Sequence, residues 1–242
     1  MKLLAVDIDN TLTGDRAAYH GLQALLSAHR EVVTAYVTGR DKIQTFEILA
    51  AECLSEPDYL LCNVGTEIYS SPDYRRDDAW THYIDHHWNR LEVQEALATI
   101  PYLFQQSRQF EFKQSYHLFQ KADAVISEIH RRLDQVGITH KVVYSSGTDL
   151  DVIPDRAGKG EAVDYIRKRL RIPRKQVLVA GDSGNDIGLL SGGFLAVVVG
   201  NRKSELNKDV LPGDVYWARK KYAEGIAEGI RYFGFLKLAD LG

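Results

Sequence analysis

Short apolar runs recur along the chain, and most of them end in a polar cluster. Leu3-Leu4-Ala5-Val6 is the first, continuous enough for a strand buried on both faces. Residues 32–37, 59–62, 176–180 and 195–199 have the same character. Between them apolar residues fall at helical spacing. Leu22, Leu25 and Leu26 mark a helix over about 17–29, with His29 at its boundary. Ile43, Phe46, Leu49, Ala50 and Cys53 mark the next. Lys159-Gly160 opens another that carries Val163, Ile166 and Leu170, and Ile226 and Ile230 lie in a closing helix over 222–235. Strand alternating with helix predicts an α/β fold, a Rossmann-like parallel sheet with right-handed crossovers.

The alternation breaks at Ser70-Ser71-Pro72-Asp73. One long helix is expected from about 77 to 100, with Trp80, Tyr83, Ile84, His87, Trp88 and Leu91 as its stripe. His82 and His86 have the one-turn spacing of a zinc pair, but no third ligand of the right kind follows nearby, so ordinary histidines are expected. From 110 to 119 the pattern has period two. Phe110, Phe112, Gln114, Tyr116 and Leu118 share one face, and Glu111, Lys113, Ser115, His117 and Phe119 the other. A helix with Ile126, Ile129, Leu133 and Val136 ends at Gly137, and residues 141–153 read as a hairpin about Ser146-Gly147-Thr148. The segment 74–153 is therefore expected to be an α+β module inserted into one core built from 1–73 and 154–242.

Composition narrows the function classes. Lys+Arg 30 against Asp+Glu 33 leaves a net charge of −3, which favours neither nucleic acid nor an anionic membrane. No run approaches the length of a membrane span. Two cysteines, no room for a signal peptide before the first strand and 45% hydrophobic residues predict a cytoplasmic globular protein.

The candidate chemistry sits at the strand ends, the edge where open parallel sheets bind ligands. Asp7-Ile8-Asp9-Asn10-Thr11 follows the first strand. Carboxylates this close repel unless a cation or proton lies between them, and oxygen donors favour Mg²⁺. The alternative is a solvated turn capping a helix through Asn10 or Thr11. Thr38-Gly39-Arg40 offers a hydroxyl, free amides and a guanidinium to an oxyanion. Lys159 opposes the dipole of the helix it opens, an objection that a neighbouring anion removes. The glycines of Gly181-Asp182-Ser183-Gly184-Asn185-Asp186 let Asp182 and Asp186 point the same way. Hydrolysis of a phosphate monoester needs this inventory: a nucleophile, an acid and cations for the phosphoryl oxygens.

These four stretches, in this order, resemble the motifs of the haloacid dehalogenase superfamily of aspartate-nucleophile phosphotransferases, over the whole chain. The insertion between the second and third is similar to the type IIB cap. Residues 64–69, Ser115-Tyr116-His117 and 145–151 resemble the sucrose-phosphate phosphatases within that branch. Phosphatases of mannosylfructose phosphate and of glycerate glycosides share much of this text. The resemblance implies Mg²⁺-dependent hydrolysis of sucrose 6-phosphate through an aspartyl-phosphate, the last step of sucrose biosynthesis. It implies Asp7 as nucleophile and Asp9 as acid and base, with Asn10, Thr38, Gly39 and Lys159 on the phosphate. Mg²⁺ would lie between Asp7, the Asp9 carbonyl and Asp182, with Asn185 and Asp186 ligating or orienting. A sugar-reading surface is expected from Arg40, Glu67, Lys113, Ser115, His117, Ser145, Ser146, Asp149 and Asp151; each alone reads equally well as a solvated strand residue. The small-molecule substrate would be met by a monomer, with a sucrose-phosphate synthase as candidate partner. A sugar phosphomutase or a catalytically silent synthase-binding subunit are the competing functions.

Overall fold

The computed structural model describes residues 1–211 and 213–236. Its first strand, β1 (Lys2–Asp7), carries the N-terminal apolar run. Side chains alternate across a strand, so Leu3 and Ala5 enter one core and Leu4 and Val6 another. Each fully buried Leu or Val contributes about 1.5–3 kcal/mol, which fixes β1 at the centre. Then come α1 (Arg16–Ser27), capped by Asp15 on the Ala18 amide, β2 (Val32–Val37), α2 (Lys42–Ala51) and β3 (Tyr59–Cys62). Two short antiparallel strands, β4 (Glu67–Ser70) and β5 (Arg75–Arg76), extend that edge.

The chain then makes an excursion through α3 (Asp78–Ile84), α4 (Arg90–Leu97), β6 (Leu103–Gln105) and β7 (Gln114–Leu118). It continues through α5 (Ala122–Gln135), β8 (His140–Ser145) and β9 (Asp149–Pro154). It returns as α6 (Lys159–Arg169), β10 (Val177–Gly181), α7 (Ile187–Leu190), β11 (Leu195–Val198), β12 (Val215–Trp217) and α8 (Tyr222–Tyr232).

Two sheets result. The large one has the order β12-β11-β10-β1-β2-β3-β4-β5 and is parallel from β12 to β3. β1 lies between β10 and β2, with Val6 opposite Ala180 on one side and Tyr36 on the other. The strand order reverses there, so a crevice opens at the C-terminal ends of β1, β2 and β10. The mixed α/β architecture with a parallel core is the one the hydrophobic pattern predicts. The small sheet, β6-β7-β9-β8, is antiparallel throughout, and Val93, Leu97, Ile129 and Leu133 of α4 and α5 pack on Tyr116, Leu118 and Leu150.

Three local expectations fail. Instead of one helix over 77–100 there are two, because His87 takes a left-handed backbone (φ 51) and Asn89 caps α4 on the Leu91 and Glu92 amides. Trp80 and Ile84 of the expected stripe are buried, whereas Tyr83 and Leu91 are exposed. The strand expected over 110–119 is confined to β7, since the Phe110 amide closes a tight reversal on the Lys113 carbonyl (3.0 Å). Val136 falls beyond α5 and is exposed, and Val125 is buried instead. In addition, Trp80 and Ile84 share a core with Leu3 and Ala5, and β5 pairs in the large sheet, although both lie past residue 73. Among the described residues no helix is long and apolar enough to cross a membrane.

Candidate active site

Asp7, the last residue of β1, is almost wholly buried. Beneath it stands Lys159. That lysine is placed by a close approach of two turns: a Cβ on Gly65, whose φ is +82, would lie 2.4 Å from the Gly158 carbonyl oxygen. An ammonium has three donors, and Lys159 spends them on Asp7 Oδ1 (2.7 Å), Asn185 Oδ1 (2.8 Å) and Asp186 Oδ1 (2.7 Å). These partners offset the helix dipole that disfavours a cation at the start of α6.

The second acidic loop folds back on itself beyond β10. Asp186 Oδ2 accepts the amides of Asp182 (3.0 Å) and Ser183 (3.2 Å). A side chain at Gly181 would forbid this, because its Cβ would meet that of Asp186 at 2.5 Å. Burial pushes the Asp7 carboxyl well above the usual carboxylate range; Lys159 opposes the shift, and Asp186 and Asp182 reinforce it. Burial, then Asp186, push Asp182 up to about 7. Burial alone would lower Lys159, but Asp186 and Asp7 keep it raised.

Three buried carboxylates thus face a single ammonium. Asp7, Asp182 and Asp186 each offer an oxygen within 4.8 Å of the others, the one such group among the described residues. Asp182 Oδ2 is buried and has no hydrogen-bond partner. An orphaned carboxylate oxygen in an excess of negative charge, with oxygen donors only, fits a hard divalent cation.

The rest of the first two motifs is engaged within the protein. Arg40 holds Asp9 through Nε–Oδ2 (2.8 Å) and Nη2–Oδ1 (2.7 Å). The Thr38 hydroxyl is fully buried and accepts the Arg40 amide (3.1 Å). The Asn10 amide donates to Thr13 Oγ1 (3.1 Å), from a backbone at φ 57. The Gly39 carbonyl takes the Lys113 ammonium (2.8 Å), which fixes the small sheet against the large one.

A cavity of about 310 Å³ opens above Asp7. Asp7, Asp9, Asn10, Gly39 and Arg40 line its floor together with Asp182 and Asn185. Lys113, Ser115, Ser145, Ser146, Asp149 and Asp151 line it from the small sheet. Ser115 Oγ donates to Asp151 Oδ1 (2.5 Å), so these two are set as a pair. Thr38, Lys159 and Asp186 lie outside the lining, the latter two bonded to Asp7 or to each other.

Two expected sugar contacts are absent from the cavity wall. Glu67 turns to Asn63 Nδ2 (2.9 Å) and the Tyr69 hydroxyl (3.0 Å), because β4 runs antiparallel beside β3. His117 lies behind Asp149, with Nδ1 3.4 Å from its Oδ1, and stacks on Phe119. His82 and His86 do not share a helical turn, since α3 ends at Ile84. Conversely, Gln106, Ser183 and Lys203 line the cavity without having been singled out. Ser183 lay inside a recognised stretch. Gln106 and Lys203 sit in irregular segments and reach Asp149 Oδ1 and the Asp182 carbonyl across the fold, which no local spacing reveals.

A solved structure of the sucrose-phosphatase from Synechocystis, in complex with sucrose and phosphate, superposes with a TM-score of 0.91 at 37% identity, covering 98% of this chain and 99% of that one. Sucrose-phosphatase 1 of Nicotiana tabacum is 33% identical over 82% of this chain and 49% of its own length. The chain thus spans about half the length of that tobacco protein. The mannosylfructose-phosphate phosphatase of Agrobacterium fabrum is 27% identical over 97% of each chain. The family model described as sucrose-6F-phosphate phosphohydrolase matches residues 1–234. This chain belongs to the sucrose-6F-phosphate phosphohydrolase family.

Proposed function

We propose that this protein is a Mg²⁺-dependent phosphatase that hydrolyses sucrose 6-phosphate to sucrose and inorganic phosphate. The observation that carries the reading is Asp7: a carboxylate at the switch point of the sheet, flanked by Lys159 and Asp182, under a cavity roofed by polar groups. Within residues 74–153, the small sheet with α4 and α5 then acts as the cap that reads the sugar.

In this mechanism a carboxylate oxygen of Asp7 attacks phosphorus, and the bond from phosphorus to the sugar oxygen breaks. Asp9, as a carboxylic acid, gives its proton to that leaving oxygen. In the second half, Asp9 takes a proton from water as the water attacks the aspartyl-phosphate, and Asp7 is released. Asp9 must leave Arg40 to do this, so Arg40 exchanges a carboxylate for an oxygen of the incoming substrate. Lys159 keeps Asp7 and Asp186 oriented, and the Thr38 hydroxyl and the Asn10 and Gly39 amides turn to the phosphate. Asp7, the Asp9 carbonyl and Asp182 would hold Mg²⁺, with Asn185 and Asp186 orienting. When bound, the ion supplies the positive charge that lets an anionic carboxylate approach an anionic phosphate.

On the cap, Lys113, Ser115, Ser145, Ser146, Asp149 and Asp151 bind sugar hydroxyls. The site takes a small sugar phosphate, and the reading extends to a cytoplasmic monomer with a sucrose-phosphate synthase as its partner. A phosphate-release screen tests it. Sucrose 6-phosphate should be cleaved far faster than fructose 6-phosphate or glucose 6-phosphate, with loss of activity in chelator. The Agrobacterium relative, matched end to end, favours mannosylfructose phosphate as the second reading; a higher rate with that substrate would change the sugar and leave the chemistry.

A further inference from the structure

Beyond β11 the chain crosses the mouth of the crevice, and every second residue ties down a loop of the site. Asn201 Nδ2 donates to the Asn10 carbonyl (2.6 Å), and its Oδ1 accepts the Tyr222 amide (2.8 Å). The Lys203 amide donates to the Asp182 carbonyl (2.8 Å). Glu205 does something different. Its Oε1 accepts the amide of Gly184 in the acidic loop (2.6 Å) and the amide of Ser146 at the hairpin tip (3.0 Å). One carboxylate oxygen therefore joins the metal-binding loop of the large sheet to the β8–β9 hairpin of the small one.

Three features make this a built joint. A Cβ on Gly184 would meet both Glu205 Oε1 and the Tyr144 carbonyl oxygen at 2.8 Å, so the three segments converge where no side chain fits. Ser146 adopts φ 55, the left-handed conformation that places its amide at the carboxylate. Leu206, next in sequence, is 2% exposed and anchors the crossing segment in the core of the large sheet. Glu205 itself does not line the cavity. Other polar bridges lie away from the hairpin tip: Lys113 to the Gly39 carbonyl and Arg108 to Asp41 (2.9 Å) at the loop after β2, Arg76 of β5 to Glu111 (3.1 Å), and Lys141 at the start of β8 to Glu161 of α6.

We infer that Glu205 is a positioning residue that couples sugar reading to the acidic loop: hydrogen-bonded to Ser146, it holds the hairpin down and with it Ser145, Ser146 and Asp149 over the cavity. The ties to Asn10, Asp182 and Gly184 stay within the large sheet. Among the ties of this crossing segment, the one to Ser146 is the one that a departing hairpin tip breaks. A charged acceptor shared by two amides is a strong tie, and a neutral amide oxygen at the same point keeps both hydrogen bonds in weaker form. The inference rests on the proposed phosphatase reading for its kinetic arm only.

The test compares Glu205→Ala, Glu205→Gln and the parent protein in two measurements. Glutamine keeps an acceptor oxygen and should behave much like the parent. Glu205→Ala should raise KM for sucrose 6-phosphate roughly tenfold, the equivalent of about 1.4 kcal/mol, with a smaller loss of kcat. Its effect on hydrolysis of p-nitrophenyl phosphate, which has no second sugar, should be smaller. Amide exchange over residues 145–149, followed by mass spectrometry without substrate, should quicken in Glu205→Ala and recover in Glu205→Gln. Unchanged exchange in Glu205→Ala overturns the coupling. So does an equal loss for both phosphate esters, which confines the effect to the acidic loop, or an equal defect in both variants. If the parent does not cleave sucrose 6-phosphate, the substrate reading fails, and the exchange arm still decides whether Glu205 holds the hairpin.

Discussion

Arg40 grips both oxygens of Asp9, at 2.8 and 2.7 Å, from a loop on the neighbouring strand of the sheet. Asp9 is the proposed acid, so the grip has to open during turnover. Both side chains are more than a third exposed, and ion pairs of that kind contribute about 0–1 kcal/mol to stability. Arg40→Lys keeps the charge but cannot reproduce the fork geometry. It should lower kcat/KM by roughly tenfold through one lost charged contact while leaving the thermal midpoint within a few degrees. Steady-state kinetics with a melting curve checks both; unchanged kinetics would show that Arg40 plays no part.

Lys159 is the counter-ion of a buried trio. Lys159→Met should cost roughly 3–5 kcal/mol, the usual price of leaving a buried charge unpaired, and should abolish turnover. Mg²⁺ should stabilise this variant more than the parent, because without the ammonium the carboxylate trio attracts the cation more strongly and a tighter ligand of the folded state stabilises it more. Thermal melts with and without Mg²⁺ measure the difference, and equal shifts would contradict the placement of the ion.

The acidic loop predicts a pH signature in the metal-free protein. Asp182 is pushed up to about 7, well above its unfolded value near 3.8. Between those values the folded state binds more protons than the unfolded one, so stability falls as pH rises. In chelator the protein should be less stable at pH 8 than at pH 5, and Mg²⁺ should narrow that gap by replacing the proton. Denaturant titrations at both pH values would refute this if the metal-free protein were more stable at pH 8.

The two cysteines should differ sharply. Cys53 is exposed, whereas Cys62 is buried on β3 and burial pushes its thiol up to about 12. Thiolate is the reactive form, so a native titration with an aromatic disulfide should find one thiol and a denatured one two. Two fast thiols in the native protein would contradict the packing of β3.

Much of this arrangement was legible in the residues. Leu3 to Val6 read as a strand buried on both faces, and that placed Asp7 at its end. The order of Asp7, Thr38, Lys159 and Asp182 along the chain matched their convergence at one edge. The break at His87 was hidden, since a left-handed residue inside an apolar stripe leaves no mark on periodicity. Glu67 and His117 had the right chemistry on the right segments, but whether a strand residue faces the cavity depends on the neighbouring strands. Arg40 was expected to meet substrate, and its pairing with Asp9 depends on a fold contact 31 residues apart. The role of Glu205 was invisible for the same reason, because both its partners lie in other segments.

Asp149 lines the cavity and lies beside Gln106 and His117. Asp149→Ala should narrow the preference for sucrose 6-phosphate over fructose 6-phosphate by roughly tenfold, as an acceptor for sugar hydroxyls is lost. Hydrolysis of p-nitrophenyl phosphate should continue. A preserved preference would remove Asp149 from sugar recognition.

The central claim is that Asp7 carries the phosphoryl group, and it can be tested directly. The protein is mixed with sucrose 6-phosphate labelled in its phosphate, quenched in acid within the first turnover, digested and mapped. The label should be found on Asp7, and Asp7→Asn should retain its fold, incorporate none and release no phosphate. Label on another residue, or full turnover by Asp7→Asn with deamidation excluded, would contradict the account.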